Sequence, residues 1–270
     1  MDVIDTVRTE EYRIGADVFV KEYLTPPSPP GAGGSAPTGE YVRFRKNGRL
    51  LDLEAWNREL NRFQSMAVKE RHPNPLVRWK ELHRRRGFLR MVDALPGETV
   101  ADVGCESGYL AADLVRRGNH VICVDIDPAL LELARQRIGP DRAEYVVSNI
   151  CAIQLPDASV DVAIASEILE HLPAPGVGLR ELIRITRPGG RIFLSVPNEL
   201  LVLAIKRVLR ALRLTCLLGQ LSEGLAIGHL QVFRKEDLVR LCQMDGVVIQ
   251  RIAYHAPFCL NIFAHLQRSG

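Results

Sequence analysis

The sequence is poor in the features that mark secreted, membrane-spanning or nucleic-acid-binding chains. Its six cysteines (Cys105, Cys123, Cys151, Cys216, Cys242, Cys259) form no CxxC pair and sit mostly among apolar neighbours. That excludes a disulfide frame and a clustered zinc site, and it fits reduced thiols in the cytoplasm. The stretch MDVIDTVRTEEYRIGADVF lacks the basic start and apolar run of a signal peptide. No uninterrupted run of about 18 apolar residues is present, so no segment is expected to span a bilayer. The formal net charge is +3, too small for a strongly basic nucleic-acid binder. No internal repeat is visible.

What is present is an ordinary globular composition: 270 residues, 47% hydrophobic and 25% charged. That is long enough for one large domain with a generous core. The one low-complexity segment, TPPSPPGAGGSAPTG (Thr25–Gly39), mixes stiffening proline with loosening glycine and reads as a linker or mobile loop. After it, two β-prone runs flank Asn47-Gly48, a strong hairpin signal. LEAWNRELNRFQSMAVKE and NPLVRWKELHRRRGFLRMVDAL carry helical periodicity. Residues 1–95 therefore read as a small helical/hairpin N-terminal region with helices over the site, and residues 96–270 as the main domain.

From residue 99 strands and helices alternate. Strands fit Thr99–Val103, His120–Val124, Ala143–Val147, Val160–Ala165 and Arg191–Val196; helices fit Tyr109–Arg117, Pro128–Arg137, Gly178–Thr186 and Lys235–Met244. This alternation predicts an α/β fold, a doubly wound, mostly parallel sheet with helices on both faces. The last two runs, Val247–Tyr254 and Phe258–Leu266, have no helix between them and must pair antiparallel at one edge. Ligands in such sheets bind beyond the carboxyl ends of the strands, near the point where strand order reverses.

The loop there is VADVGCESGYLAADL, Val100–Leu114. Gly104 and Gly108 do not have the GxGxxG spacing that wraps a diphosphate. Asp102 beside a diphosphate would also add like-charge repulsion. A ligand with an ammonium or sulfonium near Asp102 turns that repulsion into attraction. Asp125, 21 residues after Gly104 and ending the next strand, suits hydrogen bonds to ribose hydroxyls. These residues point to a nucleoside with a cationic tail.

DVGCESG followed by VICVDID resembles the first motifs of class I S-adenosylmethionine-dependent methyltransferases, a seven-stranded Rossmann-like fold with its last strand antiparallel. Glu106 stands where that family usually has a middle glycine. The resemblance implies S-adenosyl-L-methionine as cofactor, with S-adenosyl-L-homocysteine as product. It implies that Asp102, Gly104, Cys105, Glu106, Ser107 and Gly108 approach the methionine part. Asp125, with Ile126 beside it, would hold the ribose; Asn149 would meet the adenine amino group and the Ile150 backbone would face the ring. Ser166 or Glu167 would line the reaction mouth, where RPGGRIFLSVPN adds a further matching stretch.

ASEILEHLPAPG looks like the ubiquinone-biosynthesis O-methyltransferases and the small-RNA 2′-O-methyltransferases. In these, a similar ExxEH and a later histidine hold a divalent ion. By that resemblance Glu167, Glu170, His171 and His229 would hold Mg2+ or another divalent cation. Equally, Glu170 and His171 would act as catalytic acid–base groups without metal. The segment 198–230 carries Lys206, Arg207, Arg210 and Arg213 on one stripe among apolar residues, which suits a helix on a membrane surface or a lid over the site. The basic run around Arg71–Arg90 resembles the pre-domain helix of the ubiquinone enzymes, where an arginine reaches the cofactor carboxylate; Arg78 is the candidate. An anionic-lipid patch or a solvated face is the competing reading.

The expected activity is transfer of a methyl to an oxygen of a small, hydrophobic or lipid-tailed acceptor. Nitrogen or carbon methylation, and a catalytically inactive binding protein, stay open. The expected partners are that small-molecule acceptor and a membrane surface or anionic lipid, with no nucleic acid.

Overall fold

The computed structural model describes residues 6–14, 16–24, 41–64, 71–211, 229–255 and 259–270. The Pro/Gly segment at 25–39 and most of the insertion beyond residue 211, including Arg213, lie outside the described residues. Two compact units divide the chain, one from the first 64 residues together with 220–228, the other from the remainder.

The first unit bears out the helical/hairpin expectation and enlarges it to a full sheet. Strands β1 (Thr6–Ile14), β2 (Asp17–Leu24), β3 (Tyr41–Lys46) and β4 (Arg49–Leu51) form a four-stranded sheet paired in chain order, every pair antiparallel. Helix α1 (Leu53–Gln64) follows. The Asn47-Gly48 hairpin stands where expected, joining β3 to β4. The outer pair escaped sequence reading because the buried face of β2 is Phe19 and Lys21, so a cation breaks the apolar alternation that announces a strand. Lys21 Nζ lies 5.9 Å from the centre of the Tyr12 ring. Trp56 is fully buried, with Phe19 edge-on at 5.5 Å and Phe44 at 4.9 Å.

In the second unit, helix α2 (Pro75–Met91) precedes a seven-stranded sheet of order β10-β11-β9-β8-β5-β6-β7. The strands are β5 (Thr99–Val103), β6 (His120–Asp125), β7 (Glu144–Val147), β8 (Val160–Ser166), β9 (Thr186–Pro197), β10 (Val247–Tyr254) and β11 (Asn261–Arg268). Only β11 runs against its neighbours. Helices α3 (Tyr109–Arg116), α4 (Pro128–Ile138), α5 (Pro175–Ile185), α6 (Glu199–Ala211) and α7 (Lys235–Cys242) complete the order. Several boundaries move: α5 begins at Pro175 instead of Gly178, β9 begins already at Thr186, and β11 occupies Asn261–Arg268 instead of Phe258–Leu266.

Alternate strand residues enter two separate apolar layers. Ala101, Val103, Val124 and Ala163 face one; Val100, Cys123, Val162 and Ile164 face the other. Burial on both faces explains why the central strands read as continuous apolar runs. Strand order reverses between β5 and β8, so the loops leaving these two strands meet. A Cβ on Gly104 would lie 2.5 Å from Ile168 Cδ1, so the loop after β5 touches the loop after β8 at a residue that must be glycine.

Candidate functional site

The loop after β5 is built for backbone exposure to a ligand. Gly104 and Gly108 take left-handed φ values of 73° and 74°, and Glu106 does so at 53°. Glu106 therefore adopts the conformation for which glycine is favoured, and the turn keeps its path at a local strain of roughly 1 kcal/mol. Gly108 precedes α3 and supplies no side-chain cap to that helix start.

Two strand-end acids lie beneath this loop. Asp102 is buried, and its Oδ2 has no hydrogen-bond partner among the described residues. Burial pushes its carboxyl up to about 7, against a hydrogen bond from the Ala111 backbone and helped by the charges of Asp125 and Glu106. Burial likewise pushes Asp125 up to about 6. Asp125 Oδ2 accepts from the Glu106 amide at 2.8 Å and Oδ1 from the Asp127 amide at 2.9 Å. A third backbone hydrogen bond, from Ile126, also reaches this carboxylate, which keeps lone-pair capacity for a hydroxyl donor. A buried, partly unpaired acid pair below a glycine turn suits a ligand that brings positive charge and hydroxyl donors. The residues fit S-adenosylmethionine on that ground.

Beyond β7, Asn149 Oδ1 accepts from the Cys151 amide at 2.8 Å, forming a tight turn that leaves Ile150 buried. Ser148 N donates to the Asp125 carbonyl at 2.9 Å, which ties this turn to the end of β6 and Ile126 beyond it. Ser107 is fully buried and its carbonyl accepts from Arg137 Nε at 2.7 Å; Cys105 is buried below the loop.

Arg84, not Arg78, is the guanidinium that reaches the end of β8. Arg78 is exposed, and its Nη1 donates to the carbonyls of His72 at 2.8 Å and Pro73 at 3.4 Å, closing the turn before α2. Arg84 is buried; its Nη1 donates to Ser166 Oγ at 3.0 Å and its Nε to Glu81 at 3.2 Å. The two arginines differ by six positions on one helix and cannot share a face. Nothing in the run of basic residues distinguishes them; only the packing of α2 does.

The ExxEH residues separate. Glu167, at φ 59°, accepts through Oε1 from Ser195 Oγ at 2.7 Å and Asn261 Nδ2 at 3.0 Å, and its charge still reaches Arg84 and Glu170. Glu170, His171 and His229 come together, with one ligand atom each inside a 4.8 Å group. The two imidazoles meet edge to face at 4.9 Å. His229 Nδ1 also pairs with Glu199 Oε1 from α6, a partner the sequence did not single out. Both carboxylate oxygens of Glu170 are buried without a hydrogen bond among the described residues. Desolvation, then the charge of Glu167, pushes this carboxyl well above the usual carboxylate range.

Residues 101–194 match a family described as a methyltransferase domain. The chain is 36% identical over 108 residues to a malonyl-[acyl-carrier protein] O-methyltransferase of Serratia marcescens, covering 40% of this chain and 42% of that one. It is 31% identical over 150 residues to a ubiquinone biosynthesis O-methyltransferase of Hahella chejuensis, covering 52% and 61%. The chain thus spans about half the length of these curated relatives. A magnesium protoporphyrin IX methyltransferase of Synechocystis, solved with bound S-adenosylmethionine, shares the fold at a TM-score of 0.57 and 16% identity, covering 81% and 98%. With the motif order and the β11-reversed sheet, these likenesses place residues 101–194 in the methyltransferase-domain family and give the second unit the fold of the class I S-adenosylmethionine-dependent methyltransferases.

Proposed function

We propose that this protein transfers a methyl group from S-adenosylmethionine to an oxygen of a small, hydrophobic acceptor. The observation that carries the reading is Asp102 with Asp125: a buried acid pair raised toward neutrality, under a glycine turn at the point where strand order reverses. S-adenosylmethionine, when bound, supplies a sulfonium methyl: the S–C bond breaks to leave the thioether S-adenosylhomocysteine as the acceptor oxygen forms the new C–O bond and gives up its proton. The chain's own residues provide binding, alignment and a proton sink. Asp102 and Asp125 ionise against the cationic ligand and its hydroxyls, Asn149 and Ile150 bound the adenine side, and Ser166 lines the mouth. His171 takes the acceptor proton. Glu170 Oε1 lies 4.0 Å from His171 Nε2.

Catalysis by this set rests mainly on holding donor and acceptor in line, with His171 contributing the acid–base part. The ubiquinone and malonyl-carrier relatives are named as O-methyltransferases, which supports oxygen as the acceptor atom. Calorimetry with S-adenosylmethionine tests the reading first: saturable binding that is lost in Asp125→Ala supports it, and absence of binding defeats it.

A second reading adds a divalent cation at Glu170, His171 and His229. Two imidazole nitrogens and one carboxylate suit Zn2+ or Mn2+ better than Mg2+, which prefers oxygen ligands. Glu170's orphaned oxygens favour this reading. Elemental analysis of the purified chain before and after chelation decides it, a metal-free and chelator-indifferent protein removing the cation.

We also propose membrane-surface contact for α6, where Leu200, Leu203, Ile205 and Val208 are exposed next to Arg207. No described helix is long and apolar enough to cross a membrane. Flotation on anionic vesicles tests the contact, an unbound protein discarding it.

A further inference from the structure

Glu167 stands apart from the other ExxEH residues, since Glu170, His171 and His229 group without it. Its own geometry is nevertheless tightly fixed. Glu167 has a left-handed φ of 59°, which a residue with a side chain keeps only where its surroundings hold it there. Its amide donates to the Ser195 carbonyl at 2.8 Å, while Oε1 accepts from Ser195 Oγ at 2.7 Å and Asn261 Nδ2 at 3.0 Å. Ser195 and Asn261 are both buried, so the two donors that aim this carboxylate are themselves immobile in β9 and β11.

This arrangement commits one oxygen and presents the other. Oε2 takes no hydrogen bond among the described residues, in a side chain that is only half-buried. With Oε1 held on the β9–β11 side of the sheet, Oε2 is the oxygen left for the β5 side. There the next residue, Ile168, closes on Gly104, where a Cβ would lie 2.5 Å from Ile168 Cδ1. The charge of Glu167 acts on both flanks of the mouth. Burial disfavours the Arg84 cation, and Glu167, ahead of Glu81 and Glu106, more than offsets that. Burial and then Glu167 work against ionisation of Glu170. Arg84 is shared among three carboxylates, so only part of its charge falls to Glu167. The hydroxyl and amide that hold Oε1 are neutral and orient the carboxylate without cancelling it. An aimed carboxylate beside the glycine turn suits a cation that has no N–H to donate, because such a cation needs charge nearby and no hydrogen-bond geometry.

We propose that Glu167 is a specificity-determining residue for the charge of the methyl donor, its Oε2 favouring the sulfonium over the neutral thioether that remains after transfer. This rests on the methyl-transfer reading for the identity of the ligand and adds a residue that tells donor from product. When the S–C bond breaks, sulfur keeps the bonding pair and its positive charge disappears, so the attraction to Glu167 ends with the reaction. The benefit lies in loading donor and releasing product. It does not accelerate the chemical step, because sulfur carries less positive charge in the transition state than in the bound donor.

The test is calorimetry of the full chain with S-adenosylmethionine, S-adenosylhomocysteine and sinefungin, in which a carbon bearing a protonated amine replaces the methylated sulfur. The parent is expected to bind the two cationic ligands about tenfold more tightly than S-adenosylhomocysteine. Glu167→Gln keeps an Oε1 for Ser195 and Asn261 and removes only the charge. It should erase most of the preference by weakening the two cations, with S-adenosylhomocysteine binding retained. A side chain that merely braced the fold would instead shift all three ligands together. A parent without the preference, or a variant that keeps the parent's ratio, overturns the proposal. Should Glu167→Gln fail to fold, Ser195→Ala releases the carboxylate from its orienting hydroxyl and must narrow the ratio; an unchanged ratio there overturns the proposal as well. If none of the three ligands binds, the methyl-transfer reading falls and takes this role with it. If all bind and the ratio ignores Glu167, its role falls alone.

Discussion

The His255 ring occupies the space that a side chain on Gly87 would need: its Cε1 lies 2.1 Å from where a Gly87 Cβ would stand. Gly87 is in the middle of α2, where replacing glycine by alanine ordinarily stabilises a helix by about 1 kcal/mol. Here the ring cannot swing aside, because it is stacked between His83 and Phe263. Gly87→Ala is therefore expected to destabilise the protein by about 1–3 kcal/mol through overpacking. A urea melt decides the sign, and a variant more stable than the parent contradicts the seating of His255.

Asp102 sets a pH dependence. Its folded carboxyl stands at about 7 against an ordinary 3.8, and Asp125 shifts in the same direction to about 6. Raised values mean that the folded state binds protons the unfolded chain does not. The stability they contribute is complete below the unfolded value and is lost as pH rises through 6 and 7. Without ligand, the parent should lose stability as pH climbs through that window, and Asp102→Asn should flatten the slope. Binding of a cationic ligand should in turn release protons near pH ~6.5, seen as a heat that varies with the ionisation enthalpy of the buffer. Identical heats in phosphate and Tris would contradict it.

Glu170 and His171 are expected to behave oppositely. Burial disfavours a charge at Glu170, so the neutral isostere Glu170→Gln should keep stability within ~1 kcal/mol. His171→Ala removes the proton acceptor and should lower turnover about 10²–10⁴-fold. A turnover loss in Glu170→Gln as large as in His171→Ala would show that the carboxylate works ionised, as a metal ligand does.

The two arginines of α2 separate in the same way. Arg84→Met takes the guanidinium from buried Glu81, which keeps Lys80 at 3.0 Å, and should cost about 1–3 kcal/mol. Arg78→Met, exposed and bonded only to loop carbonyls, should stay within ~0.5 kcal/mol. Thermal melts of the two variants side by side measure this, and equal losses would refute the placement of Arg84.

Much of this protein could be read in one dimension. The strands β5, β6, β8 and β10, the helices α3 and α4, the reversed last strand and the acid–glycine loop all follow from local composition and from period. Those signals are short-range, so they survive without knowledge of the fold. The reading failed where a residue's role depends on what packs against it. Lys21 points inward on β2 and hides a strand. Glu167 turns one carboxylate oxygen to Ser195 and Asn261, while Glu199 joins His229 from a helix thirty residues earlier.

The amino-acid order alone determined the seven-strand winding and the loop that faces the donor, because chain-neighbour periodicity fixes which residues are buried and where each strand stops. Which arginine meets the mouth, which acid is buried without a partner and which rings stack on one another were decided only by the folded chain. Charge and hydrogen bonding in an interior depend on neighbours brought from distant positions, and no local pattern encodes that distance.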